Sequence, residues 1–134
     1  MKAQILTPGG PVFDGEVTGV QMPGIHGGFE VRHNHASLIT LLDIGRIIVK
    51  SDNKSESDRV YAVSGGFAEV SNDVVTVMAE EAISSDDIDL EENLLKKEEV
   101  ENQLKNLRID TDEHERAYTE LRKIINRINL VRNS

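Results

Sequence analysis

The sequence predicts a β-sandwich, or flattened antiparallel barrel, over residues 1–84 and a two-helix antiparallel hairpin over residues 85–134. Two observations favour this class. Short runs of β-forming residues alternate with turn residues as far as Ser84, and all ten glycines lie in that part. From Asp86 onward there is neither Gly nor Pro, and apolar residues recur at helical spacing. Many short strands in succession are typical of two packed antiparallel sheets.

The strands are predicted from seven β-rich runs in the first part. In chain order these are AQILT, VFDGEVTGVQM, ASLITLL, GRIIVK, RVYAVSGG, FAEVS and VVTVMAEEAI. Asn72 and Asp73 separate the last two runs and predict a two-residue hairpin turn. The polar segment 51–58 predicts a longer loop between two further strands.

The helices are predicted from two apolar stripes. The second stripe has alternating spacings of four and three and consists of Ala117, Leu121, Ile124, Ile128 and Val131, widened by Tyr118 and Ile125. The first stripe is interrupted by Asn93 and Lys97 and consists of Leu90, Leu94, Val100, Leu104 and Leu107. Asp110 and Glu113 resemble a capping box that starts the second helix. Because a broken stripe stabilises a helix pair weakly, we expect the hairpin to be a moving part.

Composition argues against several functions. The net charge of −9 opposes binding to nucleic acid, which requires a basic surface. The absence of cysteine removes disulfides, thiolate metal sites and cysteine nucleophiles. No apolar stretch has the length of a signal segment or a membrane span, so we expect a soluble chain that serves a membrane only through another protein. Phosphate-loop, nucleophile-elbow and H-E-x-x-H motifs are also missing, so we expect no catalytic residues.

The two predicted helices carry opposite charges. Residues 86–101 hold eight Asp or Glu against two lysines, and residues 116–132 hold five Arg or Lys against one glutamate. The five cations, here called the basic row, are Arg116, Arg122, Lys123, Arg127 and Arg132. Three interpretations remain open: solvated helix faces, pairing with the acidic first helix, and docking onto an acidic partner protein. If docking onto such a partner is the only function of the hairpin, the chain is a stand-alone interaction module.

The segment GGFEVRHNHASLIT raises the question of a metal site. On a β-strand, His33 and His35 would share one face and could hold one ion. With Gly27 they match the first half of a cupin pattern, so a small cupin-like metal enzyme is the alternative function. The pattern's glutamate is absent, and the next histidine is His114, in the helical part. Two ligands without a third make a poor site, so we expect no metal.

Four motifs resemble the epsilon subunit of the bacterial F-type ATP synthase, a small central-stalk subunit. They are ILTPGGPVFDGEV, PGIHGGFEVRHNHASLITLLDIG, AVSGGFAEV and VVTVMAEEA, in the family's order and spacing over nearly residues 3–90. The helical hairpin that follows and the total length also agree. Five positions depart from the family pattern: Glu30 replaces Gly, Arg32 Leu, His33 Pro, Asn34 Gly and Ser37 Pro.

The resemblance implies a rotor subunit that has no catalysis and no cofactor of its own. It implies that the chain bridges the gamma subunit and the c-ring, and so couples proton-driven rotation to ATP synthesis. It also implies a mobile hairpin that restrains ATP hydrolysis at the catalytic beta and alpha subunits through the basic row. The implied location is peripheral, at the cytoplasmic face of the bacterial inner membrane. The implied contacts to the c-ring or gamma are Ile25, His26, Gly28, Glu30, Arg32 and His35.

Some relatives bind ATP at the hairpin through a motif resembling I-D-x-x-R-A-x-x-A. Here the stretch IDLEENLLK keeps Ile88 and Asp89 but has Glu92 and Asn93 in place of Arg and Ala. An anion in place of a cation opposes phosphate binding, so we expect weak or no binding of ATP.

Overall fold

The computed structural model describes residues 1–51 and 56–132, and the chain divides into two compact units, Met1–Ser84 and Ser85–Ser134. The first unit is a β-sandwich, which confirms the predicted fold class. Its strands are β1 (Lys2–Thr7), β2 (Gly10–Glu16), β3 (Gly19–Gly24), β4 (Gly27–Arg32), β5 (Leu38–Leu41), β6 (Ile44–Lys50), β7 (Arg59–Ser64), β8 (Gly66–Ser71), β9 (Val74–Ala79) and β10 (Ala82–Ser84). One sheet has the order β2-β1-β9-β8-β5, and the other has the order β10-β7-β6-β3-β4.

The core of the sandwich lies between these two sheets. Alternate residues of each strand point to opposite faces, so the inner face collects every second side chain. Ile5, Val77 and Ala68 form one inner line across β1, β9 and β8, and all three are buried. Burial of a side chain the size of Ile5 or Val77 stabilises the fold by about 1.5–3 kcal/mol. The other buried apolar residues of this core are Ala3, Val17, Val20, Met22, Val31, Leu42, Ile47, Val49, Tyr61, Val63, Val70, Val75 and Ala79.

The strands differ from the sequence prediction in four ways. The run VVTVMAEEAI forms β9 in one sheet and β10 in the other, because the chain changes sheets after Ala79. The run VFDGEVTGVQM forms two strands, because the chain leaves one sheet after Glu16 and enters the other at Gly19. Strand β4 was not predicted, since its sequence GGFEVR begins with two glycines, which favour turns over strands. Strand β1 pairs in parallel with β9, and this pairing joins segments too distant for any local pattern to specify it.

The turn between β8 and β9 confirms the predicted hairpin. Asn72 and Asp73 have φ values of 53° and 63°, and Ser71 pairs with Val74 across the turn. Asn and Asp tolerate positive φ better than other non-glycine residues, which explains their use here. The loop predicted at 51–58 falls between the end of β6 and the start of β7, and its residues 52–55 lie outside the described residues.

The second unit contains a short 3₁₀ turn (Ser85–Asp87) followed by helices α1 (Leu90–Lys105) and α2 (Asp112–Arg132). The two helices confirm the predicted pair. They run antiparallel, because Asn93 near the start of α1 contacts Arg127 near the end of α2. Among the described residues, no helix combines the length and the hydropathy that a membrane crossing requires.

Two details of the helices correct the sequence prediction. Helix α2 is capped by Thr111 rather than Asp110, because the Thr111 hydroxyl accepts a hydrogen bond from the His114 amide at 3.2 Å. The apolar stripe of α2 is narrower than predicted, since Tyr118 and Ile125 are exposed. The buried residues of α2 are Ile124, Arg127, Ile128 and Leu130.

Candidate functional site

The hairpin of β3 and β4 ends in a two-residue turn, Ile25 and His26, with Gly24 paired to Gly27. A Cβ on Gly24 would lie 2.7 Å from the Gly27 carbonyl oxygen, so this close approach requires glycine. The Ile25 amide donates to the Leu41 carbonyl at 3.0 Å, which fixes the turn beside the end of β5. The turn therefore presents two exposed side chains from a fixed backbone, and Ile25 is 50% exposed.

The outer face of the first sheet carries a line of apolar side chains, here called the apolar row. Leu6, Met78, Phe67 and Leu41 occupy one register line across β1, β9, β8 and β5. Leu41 is 59% exposed and Phe67 is 40% exposed. Ile39, two residues before Leu41, is exposed as well. A contiguous exposed apolar patch on a folded domain is typical of a protein interface.

A charged cluster lies on the outer face of the second sheet and joins β4 to β6. Glu30 accepts from Arg32 Nε at 2.6 Å and pairs with Lys50 Nζ at 2.5 Å. The hydrogen bonds from Lys50 and Arg32 lower the pKa of the Glu30 carboxyl from 4.5 to about 2. A groove of about 410 Å³ opens beside this cluster, lined by Gln21, Met22, Pro23, Gly28, Phe29, Glu30 and Arg46.

The lowered pKa of Glu30 predicts a pH-dependent stability of the sandwich. A carboxyl whose folded pKa is depressed stabilises the fold above its unfolded pKa, and this contribution is lost as the pH falls through the folded value. We therefore expect the Glu30→Gln variant to have a lower melting temperature than wild type at neutral pH. The two melting temperatures should converge as the pH falls from 4.5 to about 2. The melting temperature of Lys50→Met should converge with that of wild type over the same pH range. A melting-temperature difference that stays constant over this range would contradict the pairing.

The two histidines of GGFEVRHNHASLIT do not share a strand face. His33 and Asn34 form a turn after β4, and His35 follows it. His33 Nδ1 lies 2.7 Å from Asp73 Oδ2, whereas His35 Nδ1 lies 2.7 Å from the Ala36 carbonyl oxygen. The strand geometry on which the metal-enzyme alternative depended is therefore wrong. Within residues 1–51 and 56–132, no three His, Asp or Glu side chains are placed to hold one ion.

Asp73 ties this turn to the hairpin of β8 and β9. Its Oδ1 accepts the backbone amide of Asn34 at 2.9 Å, and this bond is the main reason that the pKa of the Asp73 carboxyl is lowered. Asn34 has a φ of 61°, which asparagine tolerates better than most residues. The turn after β4 is thus anchored on the β8–β9 turn of the other sheet.

The helical unit brings part of the basic row into contact with α1. Arg127 is buried, its Nε donates to Asn93 Oδ1 at 2.8 Å, and its Nη2 lies 3.9 Å from Glu120 Oε1. The exposed members of the row are Arg116, Arg122 and Arg132, whereas Lys123 is half-buried. The basic row is therefore divided between the α1–α2 contact and the surface of α2.

The two residues that match the ATP motif lie between the 3₁₀ turn and α1. Asp89 is the N-cap, and its Oδ1 accepts the Glu92 amide at 3.1 Å. Ile88, half-buried, donates its amide to the Ser85 carbonyl at 3.4 Å. Their participation in a nucleotide site stays a prediction.

Comparison with known proteins places this fold in a family. The family model described as "ATP synthase, Delta/Epsilon chain, beta-sandwich domain" matches residues 1–85. The ATP synthase epsilon chain of Bacillus velezensis is 35% identical over 133 residues, which cover 99% of this chain and 98% of the relative. That of Salinibacter ruber is 42% identical over 97 residues, covering 68% and 65% of the two chains. The chain belongs to the ATP synthase epsilon chain family.

Solved structures agree with the fold of this epsilon-family chain. A chain of the Euglena gracilis mitochondrial ATP synthase, solved with OSCP, F1 and the c-ring, superposes with a TM-score of 0.77 at 20% identity. The match covers 92% of this chain and 76% of that one. A chain of the Tetrahymena thermophila mitochondrial ATP synthase central stalk and c-ring gives a TM-score of 0.65 at 14% identity, covering 98% and 94%.

The departures from the epsilon family pattern are accommodated in this fold. Glu30 and Arg32, which replace Gly and Leu, form an ion pair with each other. Asn34 replaces Gly at a positive φ, and His33 replaces Pro and pairs with Asp73. The sequence therefore departs from the pattern without loss of the β4 hairpin or of the turn that follows.

Several residues of the candidate site were missed by the sequence reasoning. The apolar row was not predicted, because its members were assigned only to strands and not to a face. The available signal was that the runs LITLL and VVTVM are apolar at nearly every position, which predicts burial or contact on both faces. Lys50 and Asp73 were missed because they pair with residues that are distant in sequence.

Proposed function

We propose that this epsilon-family chain is a rotor subunit of an F-type ATP synthase, bridging the gamma subunit and the c-ring without a catalytic step of its own. In this function it couples proton-driven rotation to ATP synthesis. It is peripheral, reaches the membrane only through the complex, and lies at the cytoplasmic face of a bacterial inner membrane. The observation that carries the proposal is the apolar row on a domain matched by the epsilon family model.

The apolar row is the proposed docking surface for gamma. Leu41, Phe67 and Met78 together offer an exposed apolar centre, and the exposed Glu69 lies two residues from Phe67 on the same outer face. An apolar centre with a polar rim is the usual composition of a specific protein interface. Ile25 lies next to Leu41, so the turn of β3 and β4 extends this surface toward the second proposed partner.

The proposed c-ring contact runs along β4, from the β3–β4 turn past the charged cluster to the turn that follows Arg32. Ile25 and His26 project from the turn, and Glu30 and Arg32 lie further along β4. The exposed His35 follows on the next turn. The tight β3–β4 turn and the ion pair between Glu30 and Arg32 both lose little conformational entropy on binding, which suits a permanent contact in a rotor.

The helical hairpin is the proposed regulatory element, which restrains ATP hydrolysis by reaching the catalytic beta and alpha subunits. Tyr118, Arg122, Ile125 and Arg132 are exposed on α2 at helical spacings of four, three and seven. This exposed stripe combines apolar and basic side chains, which suits an acidic protein surface. Hydrolysis by the assembled enzyme should therefore rise when residues 85–134 are removed, and an unchanged rate would contradict this role.

The test of the proposed function is gel filtration of the full chain mixed with the gamma subunit of the same organism. Co-elution at one to one is the expected result. Separate elution of the two folded proteins would overturn the rotor proposal and would favour a stand-alone interaction module that uses the hairpin.

ATP binding by the isolated chain is expected to be weak or absent. Glu92 brings a negative charge to the position where the ATP motif has arginine, and Asp89 is already used as the cap of α1. Isothermal titration of the full chain with Mg·ATP should show no saturable heat at micromolar concentrations. Tight one-to-one saturation would contradict this prediction.

A further inference from the structure

The contact between α1 and α2 contains one buried polar pair, Asn93 and Arg127, in addition to the buried apolar residues of α2. Of the residues of α1, all of which the structure describes, only Asn93 is fully buried. Its partner Arg127 is buried on α2. Leu94 and Leu95, the apolar neighbours of Asn93, are exposed by 36% and 69%. The start of α1 is therefore joined to α2 through Asn93.

The geometry fixes the orientation of the Asn93 amide. Asn93 Nδ2 donates to the carbonyl oxygen of Asp89 at 2.8 Å, one turn earlier in the chain. Its Oδ1 is thereby directed to Arg127 Nε, 2.8 Å away. The N-cap turn of α1 thus holds the acceptor in place for a donor that lies 34 residues further along the chain.

We propose that the Asn93–Arg127 hydrogen bond is a polar latch that fixes the one register in which the two helices of the hairpin close. A buried polar pair adds little net stability, because both groups are solvated by water when they separate. It disfavours other registers, because a slip of the helices would bury the Asn93 side-chain oxygen without the donor that it has from Arg127. The latch concerns the chain alone and does not depend on the proposed place in the synthase.

Amide hydrogen exchange of the full chain, followed by mass spectrometry, measures the opening of the hairpin. Asn93→Ala is expected to speed exchange across α1 about tenfold, because Arg127 then loses a buried acceptor. The matched control is Asn102→Ala, an exposed asparagine of the same helix. Both changes raise helix propensity equally, so any difference between them reports the latch. An effect of Asn93→Ala within about threefold of the control would overturn the proposal.

A second variant tests whether the two residues act as a pair. Asn93→Leu alone should open the hairpin as Asn93→Ala does, whereas Asn93→Leu with Arg127→Met should return exchange to within about threefold of the wild-type rate. An apolar pair of similar volume can replace a buried polar pair without loss of stability. A double variant that exchanges as fast as Asn93→Leu would contradict the latch.

A distance measurement separates hairpin opening from helix unfolding. The chain contains no cysteine, so Glu91→Cys and Asn129→Cys, both exposed, allow two spin labels to be placed beside the latch. With Asn93→Ala we expect a longer distance to become populated while the circular dichroism of the helices is retained. A loss of helicity without a new distance would show that Asn93 only supports α1 and would overturn the proposal.

Discussion

Replacing Leu41 and Phe67 together with serine is expected to abolish co-elution of the chain with gamma. Both side chains lie in the middle of the apolar row, and they pair across β5 and β8. Truncation of an interface residue of this kind costs about 2 kcal/mol when it lies at the centre of the contact. Two such losses weaken binding by roughly a thousandfold. The measurement is gel filtration or titration calorimetry with the gamma subunit of the same organism.

The control for this experiment substitutes two residues that lie on the same sheet but outside the apolar row. Glu69 and Thr76 pair across β8 and β9, two residues away from Phe67 and Met78 on the same outer face. Serine at both positions should leave the binding of gamma within a few-fold of wild type. Neither pair of substitutions lies in the core, so thermal unfolding should change little. If the Leu41/Phe67 variant binds as tightly as wild type, the apolar row is not the docking surface.

Gly66→Ala is expected to destabilise the sandwich more than any exposed substitution. Gly66 opens β8 with a φ of +113°, and a Cβ there would lie 2.1 Å from the Met78 carbonyl oxygen and 2.8 Å from Ala79 Cα. Alanine at such a φ costs about 1–3 kcal/mol in strain, and the overlap with the backbone of β9 adds roughly 1–3 kcal/mol. The sum is a large fraction of a typical domain stability. Urea unfolding of the full chain measures it.

Gly10→Ala separates the cost of backbone strain from the cost of the overlap with β9. Gly10 has a φ of +123°, but no heavy atom lies within 4 Å of the position that a Cβ would occupy. This variant should show only the strain, about 1–3 kcal/mol. Equal losses of unfolding free energy in Gly10→Ala and Gly66→Ala would show that the close approach of β8 and β9 does not constrain the fold.

Local features of the fold could be predicted from the sequence because local chemistry determines them. Asn72 and Asp73 specify a turn with two positive φ values, and their neighbours alternate as strands do. The absence of Gly and Pro from Asp86 onward agrees with the helical periodicity of that part. The family motifs add order and spacing over most of the sandwich.

The remaining features depend on contacts between distant segments. The switch from β2 to β3 occurs inside one continuous β-rich run, and only the pairing partners of the two strands reveal it. Asn93 interrupts an apolar stripe in the sequence, yet it is the buried residue of α1 because Arg127 lies opposite. The apolar row likewise exists only once four strands are in register.

The most direct test of the rotor function is ATP synthesis by membrane vesicles of the same organism from which the epsilon subunit has been removed. Proton-driven synthesis should be lost in these vesicles and restored by adding the full chain. The Leu41/Phe67 serine variant should fail to restore it, while the Glu69/Thr76 serine control should succeed. Synthesis that is the same with and without the added chain would contradict the account of this protein as a bridge between gamma and the c-ring.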